Sequence, residues 1–240
     1  MPYFLSEEPL SQGEAIVLEG TEAIHLLQSR RIRVGDKFVL QDPGGNRFQA
    51  ELTGSSRGKA EAVILETVPV PDPPPVQVTI LQAAVKEKAA EWIIQKGTET
   101  GVERIVFFQS NNSTVSSRQL ETEKNQERWH RIAWEACKQC ERQFPPSIEL
   151  MPNLTDALEK TKGGGAWVLD WAQGVSPETA RRRTGLPPEA RLLVGPEGGL
   201  KPQEIDLAKR AGFLPVRIGN TILRAETAAL VGLSLLIFSD

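Results

Sequence analysis

Arg224 and Glu226 stand two positions apart at the mouth of a long apolar run, in the stretch ILRAETAALVG from Ile222 to Gly232. Two chemistries explain such a pair. A carboxylate in the first turn of a helix is stabilised by the helix dipole, so the pair could simply cap the final helix. Alternatively they line an active site, where a fixed arginine steadies negative charge that develops during reaction and a carboxylate positions a group or moves a proton. Two glycine-bearing stretches lie beside them in the sequence. LLVGPEGGL (192–200) is an apolar strand that ends at Gly195, with Gly198 and Gly199 before the next helix. RIGNTILRAET (217–227) is a second strand end, at Gly219, leading by a loop into the last helix. Glycine lets backbone approach a ligand closely, and ligands of open α/β sheets bind beyond the carboxyl ends of the strands. Neither stretch is a Gly-Lys-Ser/Thr phosphate loop or a Gly-x-Gly-x-x-Gly fingerprint, which removes the usual support for ATP or a dinucleotide. A flat heterocycle held between two loops by backbone amides and carbonyls fits the pattern. So does a ligand-free glycine turn.

The surrounding elements must place these loops. EAIVLEG, DKFVLQD, RFQAELTG and KAEAVILET read as short strands separated by turn signals such as PGGN, with a helical segment near TEAIHLLQSRRI. They predict a small β-barrel or sandwich over residues 1–70. VPVPDPPPV (68–76) holds five prolines, so it is neither helix nor central strand, and residues 71–76 read as a linker. Over 77–240 the pattern alternates. VQVTILQAA, RIVFFQS, AWVLDW, RLLVG and FLPVRIG read as strands. KEKAAEWIIQKGTETG, residues 121–143, PQEIDLAKRAG and ETAALVGLSLLIF read as helices. Alternation of this kind predicts a largely parallel sheet covered on both faces.

A 240-residue chain with 40% hydrophobic and 25% charged residues has enough apolar material for a core and is not globally disordered. Net charge is −3, so bulk electrostatics gives no case for nucleic-acid binding. Positive charge is local instead. Residues 1–70 carry 7 Lys+Arg against 10 Asp+Glu, yet Arg30, Arg31, Arg33 and Lys37 fall within eight positions. That cluster reads either as a solvated face or as a contact with RNA, since arginine suits phosphates and stacks on bases. The first residues lack the charged and apolar regions of a signal peptide. The longest apolar run, Thr227 to Phe238, covers 12 residues, short of the about 20 that a membrane span needs. A soluble cytoplasmic protein is expected. Cys137 and Cys140 fall on one helical stripe with Trp129, Ile132, Ala133 and Ala136. With only His25 and His130 as further soft ligands, they read as helix-face cysteines and no metal is expected.

The motifs LLVGPEGGLKPQEI and GFLPVRIGNTILRAETAAL, at this spacing, closely resemble the signature of the RsmE family of the SPOUT superfamily. Those enzymes make N3-methyluridine in bacterial small-subunit ribosomal RNA. The resemblance extends to AAVKEKAAEWIIQKGTETGVERI and RWHRIAWEACKQCERQFPP and spans nearly the whole chain. It departs at Asn111, Asn112 and Ser113, where the family pattern is Glu-Arg-Ser, at Thr100 in place of a leucine, and in a looser match around SRRIR.

The resemblance implies an α/β fold with two domains. An N-terminal PUA-like β-barrel that binds RNA would occupy 1–70, and a C-terminal SPOUT methyltransferase domain with a deep trefoil knot would occupy 77–240. It implies a homodimer. It also implies transfer of a methyl group from S-adenosylmethionine (SAM) to N3 of a uridine in 16S ribosomal RNA, with the small ribosomal subunit as partner. Leu169, Gly195, Glu197, Gly198, Gly199, Ile218, Gly219, Leu223 and Arg224 would bind SAM. Arg224 and Glu226 would be the catalytic pair. Arg30, Arg31, Arg33, Lys37, Lys86 and Arg142 would contact RNA. The rival readings are a SPOUT enzyme acting on another RNA, such as ribose 2′-O-methylation of tRNA, and a non-enzymatic RNA-binding or ribosome-assembly factor.

Overall fold

The computed structural model describes residues 3–185 and 187–238. The chain divides into two compact units. One comprises the chain up to Asp72 together with Cys137–Phe144, and the other comprises Pro73–Ala136 and the chain from Pro145 onward.

The first unit contains β1 (Tyr3–Leu5), β2 (Ala15–Glu19), α1 (Gly20–Ile24) continued by a π-helical turn (His25–Ser29), β3 (Lys37–Gln41), β4 (Arg47–Ser56) and β5 (Lys59–Val68). They form one sheet in the order β1-β3-β4-β5-β2, antiparallel except for the parallel β1–β3 pair. Register shifts at Gln49/Ala50 and Leu52/Gly54 bend the long β4–β5 ribbon, as bulges do. The result is a curled sheet with β1 and β2 as its edges, where the sequence pattern suggested a barrel. Its concave face buries Phe4, Leu26, Phe38, Leu40, Ala50, Leu52 and Ile64.

Residues 137–144 are held here by their carbonyls, which lie at and beyond a helix end and so lack helical partners. The Tyr3 hydroxyl donates to Arg142 O at 2.6 Å, Arg47 Nη2 donates to Glu141 O at 2.9 Å, and Gln41 Nε2 donates to Gln143 O at 2.7 Å. The Arg47 guanidinium also lies 4.0 Å from the centre of the Tyr3 ring. Burial holds the Tyr3 phenol well above its ordinary pKa, so it stays a donor.

The second unit begins with β6 (Gln77–Ala83), α2 (Glu87–Thr100), β7 (Arg104–Phe108), α3 (Ser117–Leu120) and α4 (Glu123–Cys140). It continues with β8 (Ser147–Met151), α5 (Leu154–Lys160), β9 (Gly165–Leu169), α6 (Pro177–Thr184), β10 (Glu189–Val194), α7 (Pro202–Arg210), β11 (Leu214–Val216) and α8 (Ala225–Ile237). Six strands form one sheet in the order β11-β9-β10-β6-β7-β8, and every pairing is parallel. Alternate residues of each strand serve the two faces. Ile80, Ile105, Phe107, Leu192 and Val194 pack with α2 and α8, while Leu81, Val106, Phe108, Val168 and Leu193 pack with α5 and α7. Burial on both sides explains why these strands read as continuous apolar runs.

The stripe on α4 is as its spacing predicts: Trp129, Ala133, Ala136 and Cys137 are buried and Cys140 is half-buried. Neither cysteine is in a disulfide, and burial pushes the Cys137 thiol up to about 12, so it is inert at neutral pH. β1, β8, α5 and α6 are not marked by the sequence pattern. β8 is a half-exposed edge strand, α5 spans 7 residues, and α6 is short and polar, so none carries a strong periodic signal. Among the described residues no helix is long and apolar enough to cross a membrane.

α8 lies against α2, β6 and β10. It approaches the sheet at Gly232, where a Cβ would stand 2.8 Å from Leu192 Cδ2. Gly232→Leu overpacks this contact and is expected to cost about 1–3 kcal/mol, read as a lower midpoint in chemical denaturation. An unchanged midpoint would show that α8 can move off the sheet without penalty.

Candidate active site

Because every strand of the large sheet points the same way, the carboxyl ends of β9, β10 and β11 open on one edge. A crevice of about 990 Å³ lies there, within the second unit. Leu169 and Asp170 enter it from the end of β9, Val194 to Glu197 from the end of β10, and Val216 and Ile218 from the end of β11. Thr221 to Ala228 close it from the loop before α8 and that helix's first turn, and Lys86, Lys88, Ala89 and Trp92 from the start of α2. This is where an open α/β sheet binds its ligands.

Most of the residues singled out in the sequence converge on this crevice. Leu169, Gly195, Glu197, Gly199, Ile218, Leu223, Arg224 and Glu226 all line it, and so does Lys86, read from the sequence as an RNA contact. Gly198 and Gly219 lie in the same two loops but are not part of the lining. Arg224 is the N-cap residue of α8, with extended backbone and no side-chain capping bond. Its side chain is exposed, and among the described residues no hydrogen bond or ion pair ties it down or joins it to Glu226. Glu226 is half-buried in the first turn of α8, where the helix dipole favours a carboxylate. Both side chains are therefore available to a ligand.

The turn after β10 is held from behind. Gly199 has φ +70°, the left-handed region that glycine enters without strain, and its N–H donates to Pro196 O at 2.9 Å to close the turn. Buried Gln82, at the end of β6, donates from Nε2 to Gly195 O at 3.2 Å. Asn112 donates from Nδ2 to Gly198 O at 3.2 Å and Gly199 O at 3.1 Å. Glu204, buried in the first turn of α7, accepts from Lys201 N at 2.9 Å and from Asn111 N at 3.1 Å. None of these four was picked out as a site residue from the sequence. One signal was there for Gln82, a lone amide at the end of the apolar strand VTILQAA. Asn111 and Asn112 stood out only as departures from a family pattern.

The other basic residues lie elsewhere. Arg30, Arg31, Arg33 and Lys37 form an exposed stretch of the first unit, between the π-helical turn and β3. Arg31 there has φ +56°, and Asp36 Oδ2 accepts from Arg33 N at 2.8 Å, which shapes the turn. Arg142 is half-buried in the 137–144 segment of that unit.

Comparison with known proteins identifies the family. A family model described as an RNA methyltransferase domain matches residues 72–237, and one described as an RNA methyltransferase PUA domain matches residues 18–65. The ribosomal RNA small subunit methyltransferase E of Synechocystis is 34% identical over 238 residues, covering 98% of this chain and 77% of that protein. The chain belongs to the ribosomal RNA small subunit methyltransferase E (RsmE) family. A solved RsmE from Neisseria gonorrhoeae, bound to S-adenosyl methionine, has a TM-score of 0.81 and 29% identity, covering 98% of this chain and 95% of that one. A methyltransferase from Legionella pneumophila, in complex with the bound cofactor SAM, has a TM-score of 0.86 and 26% identity, covering 98% and 96%. Within the RsmE frame, the departure at Asn111 and Asn112 falls on residues that brace the glycine turn.

Glu204 joins two backbone donors that no other group satisfies among the described residues. Glu204→Ala is expected to cost about 1–3 kcal/mol in chemical denaturation, the penalty for leaving buried donors unpaired. A loss below about 0.5 kcal/mol, the level of an ordinary surface change, would show that water replaces it.

Proposed function

We propose that this chain transfers a methyl group from SAM to N3 of a uridine in 16S ribosomal RNA of the small subunit. The observation that carries the reading is the convergence of Arg224 and Glu226 with two glycine-bearing strand ends on one crevice. The crevice fits SAM. Its volume is within the range of small-molecule sites, its walls mix Leu169, Val194, Leu200 and Ile218 with backbone, and Asp170, Glu197 and Glu226 offer carboxylates to a cation. The SAM-bound relatives support the same cofactor.

Gly195, Glu197, Gly198, Gly199, Ile218, Gly219, Leu223 and Leu169 would hold SAM, with Arg224 at the boundary with the RNA base. SAM, when bound, supplies a methyl group already activated by its sulfonium. The chain's own task is to orient the base and manage its proton. Uridine N3 is a poor nucleophile until its proton leaves, and negative charge then develops on the uracil oxygens. Arg224, exposed at the mouth and untethered, is placed to stabilise that charge. Glu226 positions the base or accepts the N3 proton. The target must be presented unstacked, as in enzymes that flip a base from its helix. Arg30, Arg31, Arg33, Lys37, Lys86 and Arg142 would contact the RNA, the first unit serving as a PUA-like RNA-binding domain over 1–70 with 71–76 as linker to the methyltransferase domain at 77–240. That domain carries a deep trefoil knot in this reading, and such a substrate places the enzyme in the cytoplasm.

Labelled SAM mixed with the protein and with small subunits from cells lacking the activity should yield N3-methyluridine as the sole modified nucleoside by mass. A 2′-O-methyl product would sink the target assignment. Arg224→Ala should lower turnover by about 10²–10³-fold, the scale for losing one charge-stabilising donor, with far less effect on SAM affinity. Equal loss of both would overturn its role.

The protein acts as a homodimer in this reading. α8 is apolar on nearly all sides, with Leu230 and Val231 half-buried and Phe238 just beyond it 67% exposed. Such surface is characteristic of a subunit interface. Sedimentation equilibrium at micromolar concentration should give twice the chain mass, and a monomer would refute the assignment.

A further inference from the structure

We infer that Asn112 is a positioning residue for the cofactor, holding the turn at 195–200 so that the Leu200 N–H is a fixed donor into the crevice. This rests on the reading of that crevice as the SAM site.

A trans peptide is planar, and its C=O and N–H point in opposite directions. Asn112 Nδ2 captures the carbonyls of Gly198 and Gly199 together, at 3.2 and 3.1 Å. Fixing Gly199 O on one side turns the N–H of the same peptide, that of Leu200, to the other. The N–H of the preceding peptide is already used, since Gly199 N donates to Pro196 O. The Leu200 N–H has no acceptor among the described residues. It is also close to the crevice lining: a Cβ on Gly195 would stand 3.0 Å from Leu200 N, and Gly195, Gly199 and Leu200 all line the cavity. A backbone donor left without a partner beside a cavity is costly unless water or a ligand accepts from it.

The clamp is braced in its turn. Asn111 N donates to buried Glu204, which also accepts from Lys201 N just beyond the turn. The segment before α3 is thereby fastened to the later half of the glycine turn and to the residue just past it. Contact is close as well: a Cβ on Gly198 would lie 3.2 Å from Asn112 Cβ, so a side chain at 198 would push the amide away from its carbonyls. On the far side, Gln82 holds Gly195 O while its own Oε1 is buried without a partner. The turn is therefore pinned at three carbonyls by two side-chain amides. Pro196 has no N–H to offer, and of the turn's N–H groups without an acceptor among the described residues, those of Glu197, Gly198 and Leu200, that of Leu200 is the one whose peptide carbonyl Asn112 holds.

The test compares the wild-type chain with Asn112→Ala and Asn112→Asp. Aspartate is nearly the same size and has no N–H to give, so it separates donation from packing. Two net hydrogen bonds set the scale, and SAM affinity by titration calorimetry should fall on the order of tenfold in both variants. In turnover the loss should fall on KM for SAM far more than on kcat, a split that a merely structural residue would not produce. Amide hydrogen exchange at Gly199, whose N–H closes the turn onto Pro196 O, should quicken in both variants without SAM. Variants that are folded and bind SAM as tightly as the wild type would overturn the proposal. A wild-type chain that binds no SAM would sink the cofactor reading instead. The exchange comparison would then decide the clamp by itself, unchanged exchange at Gly199 overturning it.

Discussion

A turn that projects beyond the end of a strand has left the sheet's hydrogen-bond ladder, and its carbonyls must find other partners. At the end of β10 three of them do: Gly195 O on Gln82, and Gly198 O and Gly199 O on Asn112. The candidate site depends on this constraint. Without it, the glycines that allow close approach to a ligand would also let the backbone wander, and the crevice would lose one wall. Glycine contributes permissiveness, and the neighbouring amides restore definition.

The parallel sheet explains where those amides come from. β6 lies next to β10, so Gln82 at the end of one faces the turn at the end of the other. β7 lies next to β6, and the chain leaving it carries Asn111 and Asn112 to the far side of the same turn. Parallel pairing thus collects the ends of successive strands at one edge, and residues 113 positions apart in the chain, Gln82 and Gly195, meet there. α8 completes the enclosure from one face, seated closely because Gly232 has no side chain to hold it off. Its first turn brings Arg224 and Glu226 to the crevice with their side chains uncommitted.

The first unit follows a different logic. Its sheet is mostly antiparallel, it buries one face, and it captures the segment 137–144 by that segment's carbonyls rather than by an apolar patch. Arg47, Gln41 and Tyr3 do this from strand positions inside the unit. The arginines at 30, 31 and 33 are exposed, and no hydrogen bond or ion pair among the described residues engages their side chains, which is what an RNA-binding surface would require of them.

The amino-acid sequence by itself determined the elements with strong periodicity and the composition of the site. Apolar runs such as VTIL and IVFF read as strands of a sheet covered on both faces, glycine at strand ends marked the crevice, and Arg224 with Glu226 marked its mouth. These signals are local, carried by a few consecutive residues. Short or polar elements such as β8, α5 and α6 lack that periodicity; α5 and α6 are marked locally only by their caps, Asn153 and Ser176. The curling of the small sheet, the attachment of 137–144 to it, and the bracing of the glycine turn by Gln82, Asn112 and Glu204 were decided only by tertiary structure. Each depends on which carbonyl lies opposite which donor across a long stretch of chain. That is set by strand order and register, and no spacing along one segment encodes it.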